Sequence, residues 1–383
     1  MAAWMKPSVD MEKLSYEIFS ILETKFLFGC DDAKLIPISG TSPETPSKPS
    51  GGSGKVRILS IDGGGASDGL FAAVSLARLE TFLCRLSGDP SARIADFFDL
   101  AAGSGPGGVL TALLFSRGSD GRPLFSADEA LEFLAENQRK ISNTSKKGIF
   151  GKRSGIFGRI FEDRTVREAL KPMLIPCHDL ETGAGMMFSR ADAVEMDGYD
   201  FFMRDVCAAT CAGDQAIGMR SVDGRSKISA VGAGVENPTA AAITHVLNNK
   251  QEFPRANGVE DLLVLSLGGG RRASPPSKAK LAKIAADGAA DMVDQAVAMA
   301  FGHNRAMNYV RIEANGLKAG KTREAKVVAA EVALTERNVE LVLFRGSKLL
   351  EQTNAERLEL FAGELIREHE RRKWSTEPTV LIK

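Results

Sequence analysis

The chain has 383 residues, with 49 Lys and Arg against 49 Asp and Glu, so its formal charge is zero. That balance argues against a protein that lives on nucleic-acid phosphates, and 44% hydrophobic with 26% charged residues argues against disorder. Glycine is in excess: 38 residues, about one in ten against roughly 7% on average.

Residues 10–28 have an amphipathic helical pattern, with Leu14, Ile18, Ile21 and Leu22 on one face. Residues 37–54 are rich in Pro, Ser and Gly and predict a flexible linker. Residues 1–54 are therefore expected to form an arm. The first ten residues carry no apolar h-region, so no signal peptide is expected. No apolar run approaches the ~18 residues of a membrane span. The expected location is the cytoplasm, with peripheral membrane contact. Five scattered cysteines (Cys30, Cys84, Cys177, Cys207 and Cys211) fit small buried apolar residues in a reducing compartment.

The core begins at Val56, where VRILSI (56–61) predicts a strand ended by Asp62, Gly63, Gly64 and Gly65. Residues 70–86 predict a helix. The run 97–102 predicts a second strand, ended by Gly103-Ser104-Gly105-Pro106-Gly107-Gly108, and a helix over about 106–116 follows. Further strands are expected at 172–178 and 262–267, the latter ended by Gly268 to Gly270. Strand, glycine turn and helix in alternation predict an α/β fold with a parallel sheet. Ligands in such sheets sit at the carboxyl ends of the strands, where all three glycine clusters lie.

Residues 139–161 interleave cations with aromatics, and no acid occurs between Glu136 and Glu162. Lys146, Lys147, Phe150, Lys152, Arg153 and Phe157 are candidates for contact with an anionic membrane surface. The alternative is a solvated loop with anchoring aromatics. After Ala273 helices dominate, at 277–301 and 354–373, with strand-like runs at 308–313 and 339–344. The expected organisation is an arm (1–54), an α/β domain (55–270) and a mainly helical C-terminal extension (271–383).

A nucleophile elbow has the form G-x-S-x-G, its flanking glycines permitting a sharp turn that presents the serine. Gly103-Ser104-Gly105-Pro106-Gly107 has those flanks, but its apex is Gly105. Ser104 stands one place early, with Ala102 and Pro106 as its own flanks. The segment also matches G-x-G-x-x-G, a nucleotide or phosphate pattern. The acid expected about 20 residues on would be Asp128 or Glu129, which begin a helix instead. The turn after the first strand is a nest of N–H groups suited to an oxyanion. The histidines (His178, His245, His303 and His369) show no triad or metal spacing, and His245 reads as a packing residue.

ILSIDGGG (58–65), DLAAGSGPGG (99–108) and AVGAGVENPTAA (230–241) together resemble the patatin-like lipid acyl hydrolases. FSRADAVEMDGYDFFMRDVCAATCA (188–212) and EDLLVLSLGGG (260–270) extend the resemblance over about 56–270. It implies a parallel α/β sheet wrapped by helices and a Ser–Asp dyad without histidine. It also implies oxyanion donors from Gly63, Gly64 and Gly65, and phospholipids or galactolipids as substrates, with no cofactor or metal. Carried over by position, the nucleophile falls on Gly105 and the dyad aspartate on Gly232. The plant group III of the family is similar in carrying glycine at both places, and is described as having lipid acyl hydrolase activity. Two departures stand out. The family's G-G-G-x-R-G lacks its arginine here, and the chain is about two residues short between Gly234 and Asn237. Substitutes for the missing groups would be Ser104 as nucleophile or Asp62 as base. The expectation is a weak lipid acyl hydrolase; the alternatives are an inactive lipid-binding protein and, third, a nucleotide binder at Gly103–Gly108.

Overall fold

Alternating side chains on short apolar strands set the layers of this fold. In the computed structural model, residues 54–63, 68–141, 155–213, 216–232, 234–270, 281–317, 322–342, 346–375 and 378–382 are described. The expected arm, Gly64, Gly65, Lys146, Lys147, Phe150, Lys152 and Arg153 lie outside them.

β1 (Val56–Ile61), β2 (Leu100–Gly103), β3 (Met173–Asp179), β7 (Leu262–Leu267) and β8 (Tyr309–Ile312) run parallel in the order β3-β2-β1-β7-β8. β4 (Ala184–Ser189), β5 (Ile217–Arg220) and β6 (Lys227–Val231) extend the β3 side with antiparallel pairs, completing an eight-stranded sheet. A separate hairpin joins β9 (Arg337–Val342) to β10 (Gly346–Thr353).

Along β1, Leu59 and Ile61 enter one apolar core, while Val56 and Ile58 enter another. β7 divides likewise, with Leu263, Leu265 and Leu267 on one face and Leu262 and Val264 on the other. A strand buried on both faces needs helices on both sides. The first face is covered by α1 (Leu70–Ser87), α2 (Ile94–Phe97), α3 (Gly105–Phe115), α4 (Ala127–Ile141), α5 (Ile156–Phe161) and α7 (Met203–Thr210). α6 (Arg190–Glu195) lies between β4 and α7 in the chain. The second face takes α8 (Thr239–Asn248) and α9 (Leu281–Phe301), through Ala242, Val246, Val297 and Phe301. After the short α10 (Arg305–Asn308), α11 (Arg323–Thr335) and α12 (Asn354–Lys373) return to the first face through Ala330, Leu334, Leu358, Phe361 and Leu365.

Side-chain caps mark several helix starts. Thr353 and Glu356 form a capping box at α12, and Ser126 with Glu129 does the same at α4. Glu129 is thus a cap, not the ribose-binding acid of a nucleotide site.

One expectation needs correction. The run 97–102 begins as helix, because Asp96 accepts the Arg93 N–H at 2.9 Å and closes the first turn of α2, and the strand starts at Leu100. The strand-like run expected at 308–313 is β8, which joins the main sheet. Among the described residues no helix is long and apolar enough to cross a membrane.

Candidate functional site

The carboxyl ends of β1 and β2 meet backbone to backbone. β2 ends at Gly103, and Ser104 and Gly105 turn the chain into α3. Gly105 has φ +51°, the left-handed region that favours glycine. Its N–H donates to Thr210 Oγ1 at 2.9 Å, and that hydroxyl donates to the Pro176 carbonyl at 3.1 Å. A strand-to-helix turn with a left-handed apex is the geometry of a nucleophile elbow. A Cβ at 105 would meet Gly63 Cα and O at 3.3 Å, a tight contact.

The β1 turn is held against this elbow. Ser104 N–H donates to the Ile61 carbonyl at 3.1 Å. A Cβ at Gly63 would lie 2.7 Å from the Ser104 carbonyl, so glycine is required there. Gly63 N–H donates to the Glu236 carbonyl at 3.0 Å, which ties the turn to the segment before α8.

Beneath the turn lies a buried polar network. Asp62 faces Arg311 from β8, with Arg311 Nη1 at 3.1 Å from Oδ1 and Nη2 at 2.6 Å from Oδ2. Arg311 also donates to Ser266 Oγ at 2.8 Å and to Glu313 at 2.7 Å. Glu313 in turn accepts Gly270 N–H at 2.8 Å, fixing the third glycine turn. Thr239 joins Ser60 at 2.8 Å and Ser266 at 3.0 Å. Tyr309 donates to Asp294 at 2.5 Å. Burial raises the Asp62 carboxyl above its usual value, against the pull of Arg311. Burial also disfavours the Arg311 charge, but Asp62 and Glu313 outweigh it and hold the guanidinium ionised.

Three parallel strands thus end in glycine turns locked together by backbone contact and one buried ion-pair network. Patatin-like protein 3 of Oryza sativa subsp. indica is 50% identical over 387 aligned positions, covering 94% of this chain and 92% of that protein. The chain belongs to the patatin-like family. Patatin-like protein 7 of Arabidopsis thaliana is 47% identical, over 99% of this chain and 85% of its own length. A third relative, probable inactive patatin-like protein 9 of Arabidopsis thaliana, is 39% identical over 94% of this chain and 93% of its own. No family model matches the chain.

In this patatin-like chain Gly105 and Gly232, the positions expected to match the dyad, both meet Thr210. Thr210 receives Gly105 N–H, and its carbonyl would stand 1.8 Å from a Cβ at Gly232. Gly232 is therefore a close-packing glycine, and an aspartate cannot occupy it without displacing Thr210. Gly63 needs correction as an oxyanion donor, because its N–H is spent on Glu236. Asp62 needs correction as a base, because both carboxylate oxygens accept from Arg311 and the residue is 5% exposed. Ser104 is buried, occupies the N-cap position of α3 and makes no side-chain cap hydrogen bond. Phe157 packs in the core, so it is an anchor and not a membrane-facing residue.

His245 packs edge-on against Phe253 with ring centroids 6.3 Å apart, and burial lowers its pKa. Burial pushes the Cys177 thiol up to about 12, out of the nucleophilic range. Among the described residues no group of three His, Cys, Asp or Glu side chains could hold a metal ion.

Sequence reasoning missed Arg311 and Thr210. A lone arginine inside the apolar run YVRI was the available signal, since a buried cation demands a buried carboxylate. Thr210 gave none, because a threonine in a short helix is ordinary.

Proposed function

We propose that the protein is a slow lipid acyl hydrolase that acts on acyl esters of membrane glycerolipids, phospholipids and galactolipids, without a covalent acyl-enzyme. The observation that carries the reading is the elbow itself. It keeps the left-handed apex at Gly105 and the placement at the carboxyl end of a parallel strand, while offering no side-chain nucleophile. Family relationship supports the substrate class.

Glycine cannot form an ester, so the acyl carbonyl must be attacked by water. The O–C bond forms as the carbonyl oxygen takes negative charge and the water gives up a proton. Collapse re-forms the carbonyl and breaks the C–O bond to glycerol, whose departing alkoxide takes up that proton as the fatty acid is released. In the first turn of α3 the Gly105 and Gly108 N–H groups are bonded to Thr210 and Ser104 and Pro106 has none, which leaves the Gly107 N–H and the partial positive charge of the helix end to favour the developing anion. In serine hydrolases stripped of the whole catalytic set, such remnants leave about 10³–10⁴-fold over water, near 10⁶ below the intact enzyme.

The test is fatty-acid release from phosphatidylcholine and a galactolipid by purified protein, beside Ser104→Ala and Gly105→Leu. Slow release should persist in the first variant and vanish in the second, whose side chain fills the place of the missing nucleophile. Loss of release on Ser104→Ala would instead make that serine the nucleophile. Release unchanged in Gly105→Leu would detach it from the elbow.

A second reading is a lipid-binding protein without turnover. It is favoured by the engagement of Asp62 with Arg311 and of Gly63 N–H with Glu236. Stoichiometric lipid binding with no product in any variant is its signature.

A further inference from the structure

At the opposite end of the sheet, ~20 Å along β1 from the elbow, the chain builds a second polar centre. Arg57 lies near the start of β1, Asp99 precedes β2, Lys171 precedes β3, and Arg372 lies in the last turn of α12. Asp99 accepts Arg57 N–H at 2.8 Å and Arg57 Nη2 at 3.0 Å. It also accepts Arg372 Nη1 at 2.8 Å and Nη2 at 2.7 Å. These four residues, with Ser375 and Thr379, line a hollow of about 370 Å³. That volume suits a small molecule.

The charges there do not balance. Three cations face the one carboxylate. Glu368, 3.4 Å from Arg372 Nε, is a second, and one positive charge still remains over. The Arg57 side chain is 5% exposed, and its Nη1 has no hydrogen-bond partner. Buried donors in native proteins are nearly always satisfied, so an unpartnered one calls for an explanation. Among the described residues the Lys171 ammonium has neither a hydrogen bond nor a carboxylate at ion-pair distance. Burial lowers its pKa, and Arg57 and Arg372 add to that while Asp99 opposes it. An incoming anion would pair the Lys171 ammonium, while Arg57 Nη1 is buried out of contact and acts on it only through its charge. On the other side of Lys171 lies a hollow of about 360 Å³ where Arg122, Lys373 and His369 are met by Asp89, Asp96 and Glu370. With His369 kept neutral by burial, that lining holds one acid more than Arg122 and Lys373 balance, and Lys171, which lines both hollows, stands between this deficit and the excess of the first.

We propose that the hollow bounded by Arg57, Asp99, Lys171 and Arg372 binds a phosphomonoester, with the Ser375 and Thr379 hydroxyls as further donors. A phosphomonoester brings about −1.5 to −2 charge and three acceptor oxygens. Guanidinium and ammonium groups together match it better than they match a single carboxylate. The site is independent of the elbow and of any turnover there.

The full chain is titrated with glycerol 3-phosphate in a phosphate-free buffer, ionic strength held constant with sodium chloride, and thermal unfolding is followed. A saturable rise in Tm is expected. Lys171→Gln should weaken the apparent affinity about tenfold, the loss of one charge-assisted hydrogen bond, and Lys171→Arg should retain it. Thr379→Val, which keeps every charge, provides a second variant with weakened binding. An absent rise in the wild type, or an equal rise in Lys171→Gln and Thr379→Val, overturns the site. Vesicles containing phosphatidic acid, compared with phosphatidylcholine alone, distinguish the source. Lys171-dependent binding to the former supports the site with a lipid head group as ligand. Binding of glycerol 3-phosphate without vesicle binding supports it with a soluble ester.

Discussion

Gly105 and Gly232 are both glycine where the family's dyad would stand, yet physically they differ. Gly105 is glycine at a turn apex where a small side chain would find tight space; Gly232 is glycine because Thr210 leaves no volume at all. Gly105→Ser is therefore expected to fold, with a cost of about 1–2 kcal/mol for a left-handed non-glycine residue. It should not speed turnover, since no base faces it. Gly232→Asp is expected to destabilise by about 2–3 kcal/mol through overpacking, measured by denaturant unfolding. An unchanged midpoint for Gly232→Asp would mean that the Thr210 segment yields easily and that packing does not require glycine there. Arg311 supplies a second test at this scale. Arg311→Met leaves the Asp62 carboxylate buried without its cation, and should cost about 3–5 kcal/mol.

At the scale of elements, the amino ends of β1 and β2 and the end of α12 are joined through one carboxylate. Burial acts to raise the Asp99 pKa, but Arg57 and Arg372 override it and hold the group well below the usual range. A carboxyl depressed in the folded state stabilises fully above its unfolded value of about 3.9, and that contribution is lost as pH falls toward the folded value. Tm should therefore fall steeply below about pH 5 in the wild type and less steeply in Asp99→Asn, which starts lower. Parallel acid limbs in the two proteins would remove Asp99 from the account. The elements themselves were largely legible: β1 follows from the apolar run 56–61, and α1 and α12 from apolar residues at helical spacing. Phe97 and Phe98 misled because two aromatics before a strand resemble the strand, and only the Arg93–Asp96 cap shows the helical turn.

At the scale of the molecule, the parallel sheet and the elbow at its carboxyl edge were legible from three strand–glycine–helix units, whereas the strand order was not. The chemistry of that edge was less so, for a physical reason. Asp62 and Arg311 are 249 residues apart, and no local pattern announces that one neutralises the other. Nor does a sequence show that Gly63 N–H is already bonded, or that a glycine at 232 fills space rather than vacating it. The glycine excess thus records close backbone approach between strand ends as well as lost side chains. The proposed hydrolysis at this edge forms no acyl-enzyme. Its most direct test follows fatty-acid release from phosphatidylcholine while samples quenched during turnover are weighed by intact-protein mass spectrometry. Slow release, absent from Gly105→Leu, with the protein mass unchanged is the predicted result. A protein population carrying the mass of one acyl chain, or release no greater than that of Gly105→Leu, would contradict it.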